Sequence, residues 1–207
     1  MQRKSAGPGA ANRQAEIVIS CCRSGIGTAV VNANAKMMDM LTGYAASHQH
    51  PFNIFVHMIG IPTIMLGVLI PLSWANVDVS GYSISLAHIV MLAFFGFYMT
   101  LDRLFAAVFL VAAFGITVLA TNIAAKPAAV SGTIAAIAFF GGYAAQFIGH
   151  AVEKSMPVLV RHPIQASLAA PFFTVVELFR ILGLRDELFE QVQTRIAESR
   201  QEQTRAG

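Results

Sequence analysis

The sequence predicts an all-α integral membrane protein: a bundle of four transmembrane helices with an interfacial or re-entrant amphipathic segment and a charged C-terminal helix. Of its 207 residues, 56% are hydrophobic and 12% are charged, whereas a soluble domain has about 25% charged residues. The charges are also segregated toward the two ends. Residues 41–152 contain only four, Asp78, Asp102, Arg103 and Lys126. A soluble fold could not cover its surface with so few charges, so we expect lipid to surround much of this part.

Residues 1–36 differ from the rest because they are rich in Ala, Gly, Ser and Asn and carry scattered Arg and Lys. Segments of this composition bury little apolar surface, so we predict a poorly ordered N-terminal extension. A transit peptide is the alternative, because Glu16 is the only acid among these residues. A short helix over about residues 37–47 is expected to lead into the membrane domain, which we place at residues 37–184.

Four apolar stretches each have about the 20 residues that cross a bilayer. We place the spans at about residues 51–72, 83–101, 104–124 and 129–151. Gly60 and Gly67 share one face of the first span, and Gly142 and Gly149 share one face of the fourth. Small residues at such spacing favour close helix contact in a membrane, so each face is expected to lie against another helix.

Residues 163–184 are apolar but interrupted by polar residues and a proline, a combination that a spanning helix seldom carries. We predict an amphipathic or re-entrant segment at the membrane interface. Glu177 lies inside this stretch and needs a partner, for which Lys154 or a histidine N–H is a candidate. Residues 185–207 alternate acids and bases, which predicts a solvated helix with one apolar stripe, formed by Leu188, Val192 and Ile196.

The Lys and Arg residues predict the orientation of the bundle. Five of the 14 precede the first span and seven follow the fourth, whereas the first loop has none. Four spans put both termini on one side, and the positive-inside rule makes that side cytoplasmic. The loop at residues 73–81 is predicted to be a turn, with Trp74 and Tyr82 as interface anchors. The net charge of +3 comes from the flanks, so it reflects topology rather than nucleic acid binding. The membrane would be the endoplasmic reticulum in a eukaryote and the inner membrane in a bacterium.

Residues that can bind a metal gather at one predicted end of the bundle. In the first span Asn53 and His57 lie one turn apart on one face, and His48 lies on the turn before it. The first span starts and the fourth ends at the same membrane face, so these residues can lie level with His150 and Glu153. Three imidazoles and a carboxylate converging from two helices resemble a non-haem iron site, and zinc takes the same ligands. The alternative is that they only anchor two helix ends.

The other three histidines are separated from this set. His50 either joins the site or only caps the first span. His88 enters the second span from the opposite face, so the bilayer should keep it from the cluster, and we expect a packed or hydrogen-bonded side chain. His162 lies beyond Pro157 and is expected at the surface.

The candidate site residues belong to longer motifs. The first is Tyr44-x3-His48-x2-Pro51-x-Asn53-x3-His57-x4-Pro62. The second is Gln146-Phe147-x-Gly149-His150, followed by Glu153-Lys154 and Pro157. The third is Gln165-x-Ser167-Leu168-x2-Pro171-Phe172. Over roughly residues 40–183 the chain resembles the small membrane proteins that include the fungal 2-hydroxy fatty acid dioxygenase of phytosphingosine breakdown.

The resemblance implies an Fe(II)-dependent α-oxidation within lipid and sphingoid-base catabolism. A 2-hydroxy fatty acid would lose its carboxyl carbon with O₂ and become one carbon shorter, with its alkyl chain among the apolar spans and no organic cofactor. The resemblance implies His48, His57 and His150 as iron ligands. It makes Glu153 a candidate fourth ligand or general base, and Asn53 a contact of a ligand residue or of the substrate.

Two other classes are alternatives to an enzyme. A membrane scaffold or lipid-binding protein would retain lipid but bind no stoichiometric iron. A small transporter is disfavoured, because the sequence has no internal repeat and no buried ion pair midway through the spans.

Overall fold

A computed structural model of the chain describes residues 35–161 and 163–206. Within them the fold consists of eight helices and one two-stranded antiparallel sheet. In chain order the elements are α1 (35–45), α2 (Pro51–Trp74), β1 (Asn76–Val79), β2 (Tyr82–Ser85), α3 (Leu86–Met99), α4 (Arg103–Ala124), α5 (Ala128–Glu153), α6 (Val158–Arg161), α7 (Pro163–Ile181) and α8 (Asp186–Ala206). The predicted fold class is confirmed, because helices dominate and four of them are long and apolar enough to cross a membrane.

The four helices that meet this criterion are α2, α4, α5 and α7, and they are not the four predicted. Helix α3 has only 14 residues of the predicted span 83–101, about 21 Å at the usual helical rise, whereas the hydrocarbon core is about 30 Å thick. The predicted interfacial segment 163–184 forms the 19-residue helix α7 instead. Length and composition do not distinguish a spanning from an interfacial α7, so its interfacial position stays a prediction.

A β-hairpin joins α2 to α3, in place of the predicted turn at residues 73–81 and the start of the predicted second span. Its strands pair antiparallel, with Val79 opposite Tyr82. Ser80 and Gly81 between them have positive φ angles of 51° and 84°, as a two-residue type I′ hairpin turn requires. Strand β2 therefore takes up the first residues of the predicted second span.

The two terminal helices pack at one end of the bundle. Leu41 of α1 is buried in the same apolar cluster as Val192 and Ile196 of α8, and Arg195 pairs with Asp39 at 3.1 Å. The predicted apolar stripe of α8 is confirmed, but the helix is solvated on one side only. Helix α1 is displaced by two residues from the predicted 37–47, and residues 1–34 of the predicted extension lie outside the described residues.

Helices α2 and α5 are antiparallel and cross closely, because glycines leave room at the contact. A Cβ atom at Gly67 would lie 2.6 Å from the backbone nitrogen of Phe139, and one at Gly142 would lie 2.6 Å from the side chain of Ile64. The glycine faces predicted on the two spans therefore meet each other. This contact brings the start of α2 against the end of α5, where the candidate site residues lie.

Aromatic side chains hold α7 against α3 and α4. The ring of Phe172 is fully buried, with its centroid 5.1 Å from that of Tyr98 on α3 and 5.7 Å from that of Phe105 on α4. The neighbouring Phe173 has its ring centroid 5.6 Å from that of His48. Helix α7 therefore forms one wall of the candidate site.

The long helices also carry large apolar side chains that point away from the core. Val111 and Phe114 of α4 are 75% and 70% exposed, and Phe140 of α5 is 70% exposed. Water would make such a surface unfavourable, whereas lipid tails would solvate it, which agrees with a helix bundle in a membrane.

Candidate metal centre

The site is built on the turn between α1 and α2 and on the first two turns of α2. Pro51 occupies the first turn of α2, where a proline loses no helical hydrogen bond. The His50 side chain accepts a hydrogen bond from the backbone N–H of Phe52 at 3.2 Å, so His50 caps the helix, one of its two predicted roles. Asn53 and His57 follow on the inward face and are fully buried.

Three histidines converge at this end of the bundle, as predicted. His48 comes from the turn before α2, His57 from α2 and His150 from the last turn of α5, and all three are buried. Their ring centroids are 4.3–5.0 Å apart. One ring nitrogen from each lies within 4.8 Å of the other two. No other described residue joins this group.

Hydrogen bonds fix the orientation of each ring through its Nδ1 atom. The Nδ1 of His48 lies 2.7 Å from the backbone carbonyl oxygen of Tyr44, and that of His57 lies 2.9 Å from the carbonyl oxygen of Asn53. A carbonyl only accepts, so both Nδ1 atoms carry the proton. Their Nε2 atoms are then free to act as lone-pair donors.

The third ring is held by a serine. The Nδ1 of His150 lies 2.9 Å from Ser155 Oγ, and this hydroxyl donates onward to the carbonyl of Ser47 at 3.3 Å. Because the serine proton is used toward Ser47, the hydroxyl accepts from His150, which puts the proton of His150 on Nδ1 too. All three rings therefore present Nε2 to one another.

The protonation state of the cluster suits metal binding. Burial, followed by the proximity of His57, lowers the pKa of His48 from 6.5 to about 3. His48 is therefore neutral at physiological pH, as a ligating imidazole must be.

The donor set fits a divalent transition metal ion such as iron or zinc. Imidazole suits both ions, and three protein ligands that leave further positions open are typical of catalytic rather than structural sites. The Nε2 of His48 is buried and has no hydrogen-bond partner in the described part of the chain. An unpaired buried polar atom is costly, and a metal ion would remove that cost.

Glu153 lies outside the three-histidine group and holds the turn that carries His48. Its Oε1 accepts hydrogen bonds from the backbone N–H groups of Gln49 at 2.6 Å and His50 at 3.2 Å. Its Oε2 accepts from the side-chain amide of Asn53. The carboxylate thus ties the start of α2 to the end of α5.

Asn53 completes this connection from α2. Its side-chain amide also reaches the carbonyl oxygen of Ser47, at 3.4 Å. Gly149 makes room for it, because a Cβ atom at position 149 would collide with the Asn53 carboxamide oxygen. Gly149 therefore lets α2 and α5 pack closely and also leaves space for the Asn53 side chain between them.

Two residues at the histidines were not predicted to act there. Tyr44 stacks on His48 with ring centroids 4.1 Å apart and planes 4° apart. Because a short helix was predicted over residues 37–47, the four-residue spacing of Tyr44 and His48 could have predicted this contact. Ser155 gave no such signal. It reaches His150 because Lys154 adopts a left-handed conformation, with φ 56°, and turns the chain back.

The remaining predicted polar residues have other partners. His88 bonds to the backbone N–H and the hydroxyl of Ser85, so it caps α3 and lies outside the cluster, as predicted. Glu177 is paired with Arg180, one turn along α7, whose Nε donates at 2.6 Å. The predicted partners of Glu177, Lys154 or a histidine, were therefore wrong. His162 lies outside the described residues.

A cavity of about 220 Å³ opens from the three histidines into the apolar bundle. Helix α2 lines it with one stripe that runs from His57 to Leu69, a length of about 18 Å. Mostly apolar side chains of α1, α3, α5, α6 and α7, together with Pro157, form the other walls. Neither Asn53 nor Glu153 lines this cavity.

Comparison with known proteins identifies the family. A family model described as Mpo1-like, 2-hydroxy-palmitic acid dioxygenase Mpo1-like, matches residues 35–181. The match covers the three histidines and ends at the last residue of α7, so α8 lies beyond it. No curated protein and no solved structure matches the chain.

Proposed function

The chain belongs to the Mpo1-like family, and on that premise we propose that it is a non-haem iron dioxygenase that shortens 2-hydroxy fatty acids by one carbon. One O₂ per substrate balances the reaction: the 2-hydroxy acid yields a carboxylic acid one carbon shorter, carbon dioxide and water. The observation that carries the proposal is the convergence of three neutral imidazoles at the polar end of an apolar cavity.

In this proposal His48, His57 and His150 hold the metal through their Nε2 atoms. The bound iron would supply the redox chemistry that activates O₂, which no side chain of the chain can supply. The hydrogen bonds that the three Nδ1–H groups donate keep each ring in the tautomer and orientation that the metal needs.

We assign Glu153 and Asn53 a positioning role rather than ligation or proton transfer. The Glu153 carboxylate accepts three hydrogen bonds, and neither residue lines the cavity that the substrate would occupy. Their contacts fix the distance between the turn that carries His48 and the helix that carries His150.

The apolar cavity supports a long-chain substrate. An extended alkyl chain advances about 1.3 Å per carbon, since a C–C bond is about 1.5 Å long, so the 18 Å stripe on α2 would accompany about 14 carbons. Each CH₂ removed from water contributes about 0.8 kcal/mol. The three histidines at the polar end of the cavity are buried, so the carboxyl group of the substrate would reach the metal away from bulk water.

The test is turnover by the purified chain in detergent, loaded in parallel with Fe(II) and with Zn(II). We expect O₂ uptake and conversion of 2-hydroxypalmitate to the acid one carbon shorter with Fe(II) only. Tight binding of lipid without stoichiometric metal would instead indicate the alternative, a membrane lipid-binding or scaffold protein.

We further propose that the protein is integral to the membrane with both termini in the cytoplasm, as its Lys and Arg distribution predicts. The exposed apolar surfaces of α4 and α5 support the lipid environment. Single cysteines introduced at Asn76 and at Gln191, in a variant without Cys21 and Cys22, should react from opposite sides of sealed vesicles. Labelling of both from the same side would reject this orientation.

A further inference from the structure

The polar lining of the cavity points to a recognition site for the substrate's head group, and this inference rests on the proposed function. Asn53 was a candidate substrate contact, but it does not line the cavity. The polar residues that do line it, apart from the three histidines, are Tyr44, Tyr143, Gln146 and Ser167. The Ser167 hydroxyl donates its proton to the carbonyl of Pro163 at 2.8 Å, so it could only accept a hydrogen bond from a ligand. The other three polar side chains make no such bond within the described residues.

Two of these three side chains share one stripe of α5 with a proposed metal ligand. Tyr143, Gln146 and His150 are separated by three and four residues, so successive side chains of this set stand one turn apart on the same face. Gln146 packs over Gly60 of α2, where a Cβ atom would lie 3.2 Å from its Cγ. Its carboxamide is thus held at the cavity, one turn from His150.

Tyr44 approaches from the other side of the histidines. Its ring stacks on His48, and it lines the same cavity as Tyr143. Tyr44 and Tyr143 therefore lie on two walls of the same cavity, α1 and α5, with Tyr44 against His48 and Tyr143 two turns from His150.

Tyr44, Tyr143 and Gln146 differ from the buried Tyr98 in that their polar side-chain groups have no described hydrogen-bond partner. Tyr98 is fully buried on α3 and donates to the carbonyl of Leu168 at 2.8 Å. No described residue takes a hydrogen bond from Tyr44, Tyr143 or Gln146. Polar groups that face an apolar cavity in a membrane protein are costly unless a ligand or water pairs with them.

The cavity also lacks a cation. None of the described residues that line it is Lys or Arg, so no side chain can neutralise a substrate carboxylate there. A metal ion held by the three histidines would supply the positive charge for the carboxylate, and the neutral donors and acceptors of the lining would remain for an uncharged polar group. A hydroxyl group can donate one hydrogen bond and accept two, which matches two phenols and a carboxamide.

We propose that Tyr44, Tyr143 and Gln146 recognise the 2-hydroxyl group of the substrate and so make the enzyme select hydroxylated over plain fatty acids. The amide oxygen of Gln146 accepts the hydroxyl proton, and the two phenols donate to its oxygen. These residues determine specificity and do not bind the metal.

The experiment measures equilibrium binding of 2-hydroxypalmitate and of palmitate to the full chain, purified in detergent and loaded with Fe(II) without O₂. The variants are Tyr44→Phe, Tyr143→Phe and Gln146→Met, which keep the size of each side chain. Tyr98→Phe and Tyr82→Phe are matched controls, since they remove a phenol from the core of the bundle and from the exposed hairpin. Bound iron and thermal midpoint are recorded for every protein.

Each of the three variants should bind 2-hydroxypalmitate about 3- to 10-fold more weakly, the range for one lost hydrogen bond. Their affinity for palmitate should change less, so the preference for the hydroxylated ligand falls while iron content stays the same. Both control variants should keep the preference of the wild type, even if Tyr98→Phe lowers the thermal midpoint.

An unchanged preference in all three variants, through unchanged affinities or an equal loss for both ligands, would overturn the inference. Turnover and ligand binding by the wild-type protein distinguish failure of this inference from failure of the proposed function. A wild-type protein that shortens 2-hydroxypalmitate while the variants keep its preference rejects only the specificity site. A wild-type protein that binds both acids equally and shortens neither rejects the proposed function itself.

Discussion

The two ends of α2 differ in how their polar groups are paired. At the N-terminal end, residues distant in sequence meet: Glu153 of α5 accepts from Gln49, His50 and Asn53, and three histidines converge. At the C-terminal end the pairs are local, because β1 pairs with β2 across a two-residue turn. Polar contacts over 100 residues of sequence constrain helix positions, whereas local contacts only shape a turn.

One histidine near each end of α2, His57 and His88, shows how this difference in pairing bears on metal binding. His57 and His88 both use Nδ1 in a local hydrogen bond, to Asn53 and to Ser85 respectively. Of these two histidines only His57 lies with its Nε2 atom near two further imidazoles, those of His48 and His150. A histidine in an apolar helix therefore indicates a metal site only where the fold brings other ligands to the same point.

The largest expected effect comes from removing a member of the cluster. His48→Ala, His57→Ala and His150→Ala should each abolish shortening of 2-hydroxypalmitate, because two imidazoles hold a metal far less tightly than three. His88→Ala is the matched control at the other end. It should remain active and lose about 1 kcal/mol of stability with its helix cap. The four variants are compared by activity assays and by thermal unfolding. An inactive His88→Ala protein that remains folded would contradict the assignment of the site to the three clustered histidines.

The second effect concerns the polar connection between α2 and α5. Glu153→Gln keeps the size of the side chain but loses the charge that accepts three hydrogen bonds. Changes in residues that orient metal ligands typically cost about 10- to 100-fold in metal affinity or activity. We expect a loss in this range, measured by metal titration of the metal-free protein, with some activity left at saturating metal. Complete loss of metal binding would identify Glu153 as a ligand.

Two glycines test the same contrast through packing. A Cβ at Gly149 would collide with the Asn53 side chain, whereas one at Gly67 would press on the backbone of Phe139. We expect Gly149→Ala to weaken metal binding more than it lowers stability. Gly67→Ala should cost about 1–3 kcal/mol of stability but leave the metal bound. Gly96→Ala is the control, since nothing lies within 4 Å of its Cβ position. Metal content and thermal midpoints of the three variants should separate the two ends.

The smallest effect is expected at the cap of α2. His50→Ala removes the side chain that accepts from the N–H of Phe52, and losing a helix cap costs about 1 kcal/mol. The backbone bond from His50 to Glu153 remains, so metal content and activity should be close to those of the wild type. Loss of metal from a folded His50→Ala protein would place His50 in the site.

The sequence was sufficient to predict that His48, His57 and His150 converge, because helix periodicity and the shared membrane face of the first and fourth predicted spans place them together. It was insufficient for Ser155, which reaches His150 only through the left-handed turn at Lys154. The hairpin was missed because a turn in which both Ser80 and Gly81 have positive φ resembles an ordinary loop. The segment 163–184 was predicted to be interfacial because Glu177 and Arg180 were counted as separate charges, whereas one turn of helix lets them pair.

The central claim is that three histidines from two separate parts of the sequence bind one metal ion. The most direct measurement is the metal content per chain of purified wild type, His57→Ala and His88→Ala proteins, determined by elemental analysis after exposure to Fe(II) and gel filtration without O₂. We predict one iron per chain for the wild type and His88→Ala, and none for a folded His57→Ala protein. An iron-replete His57→Ala protein, or a wild type that binds no metal, would contradict it.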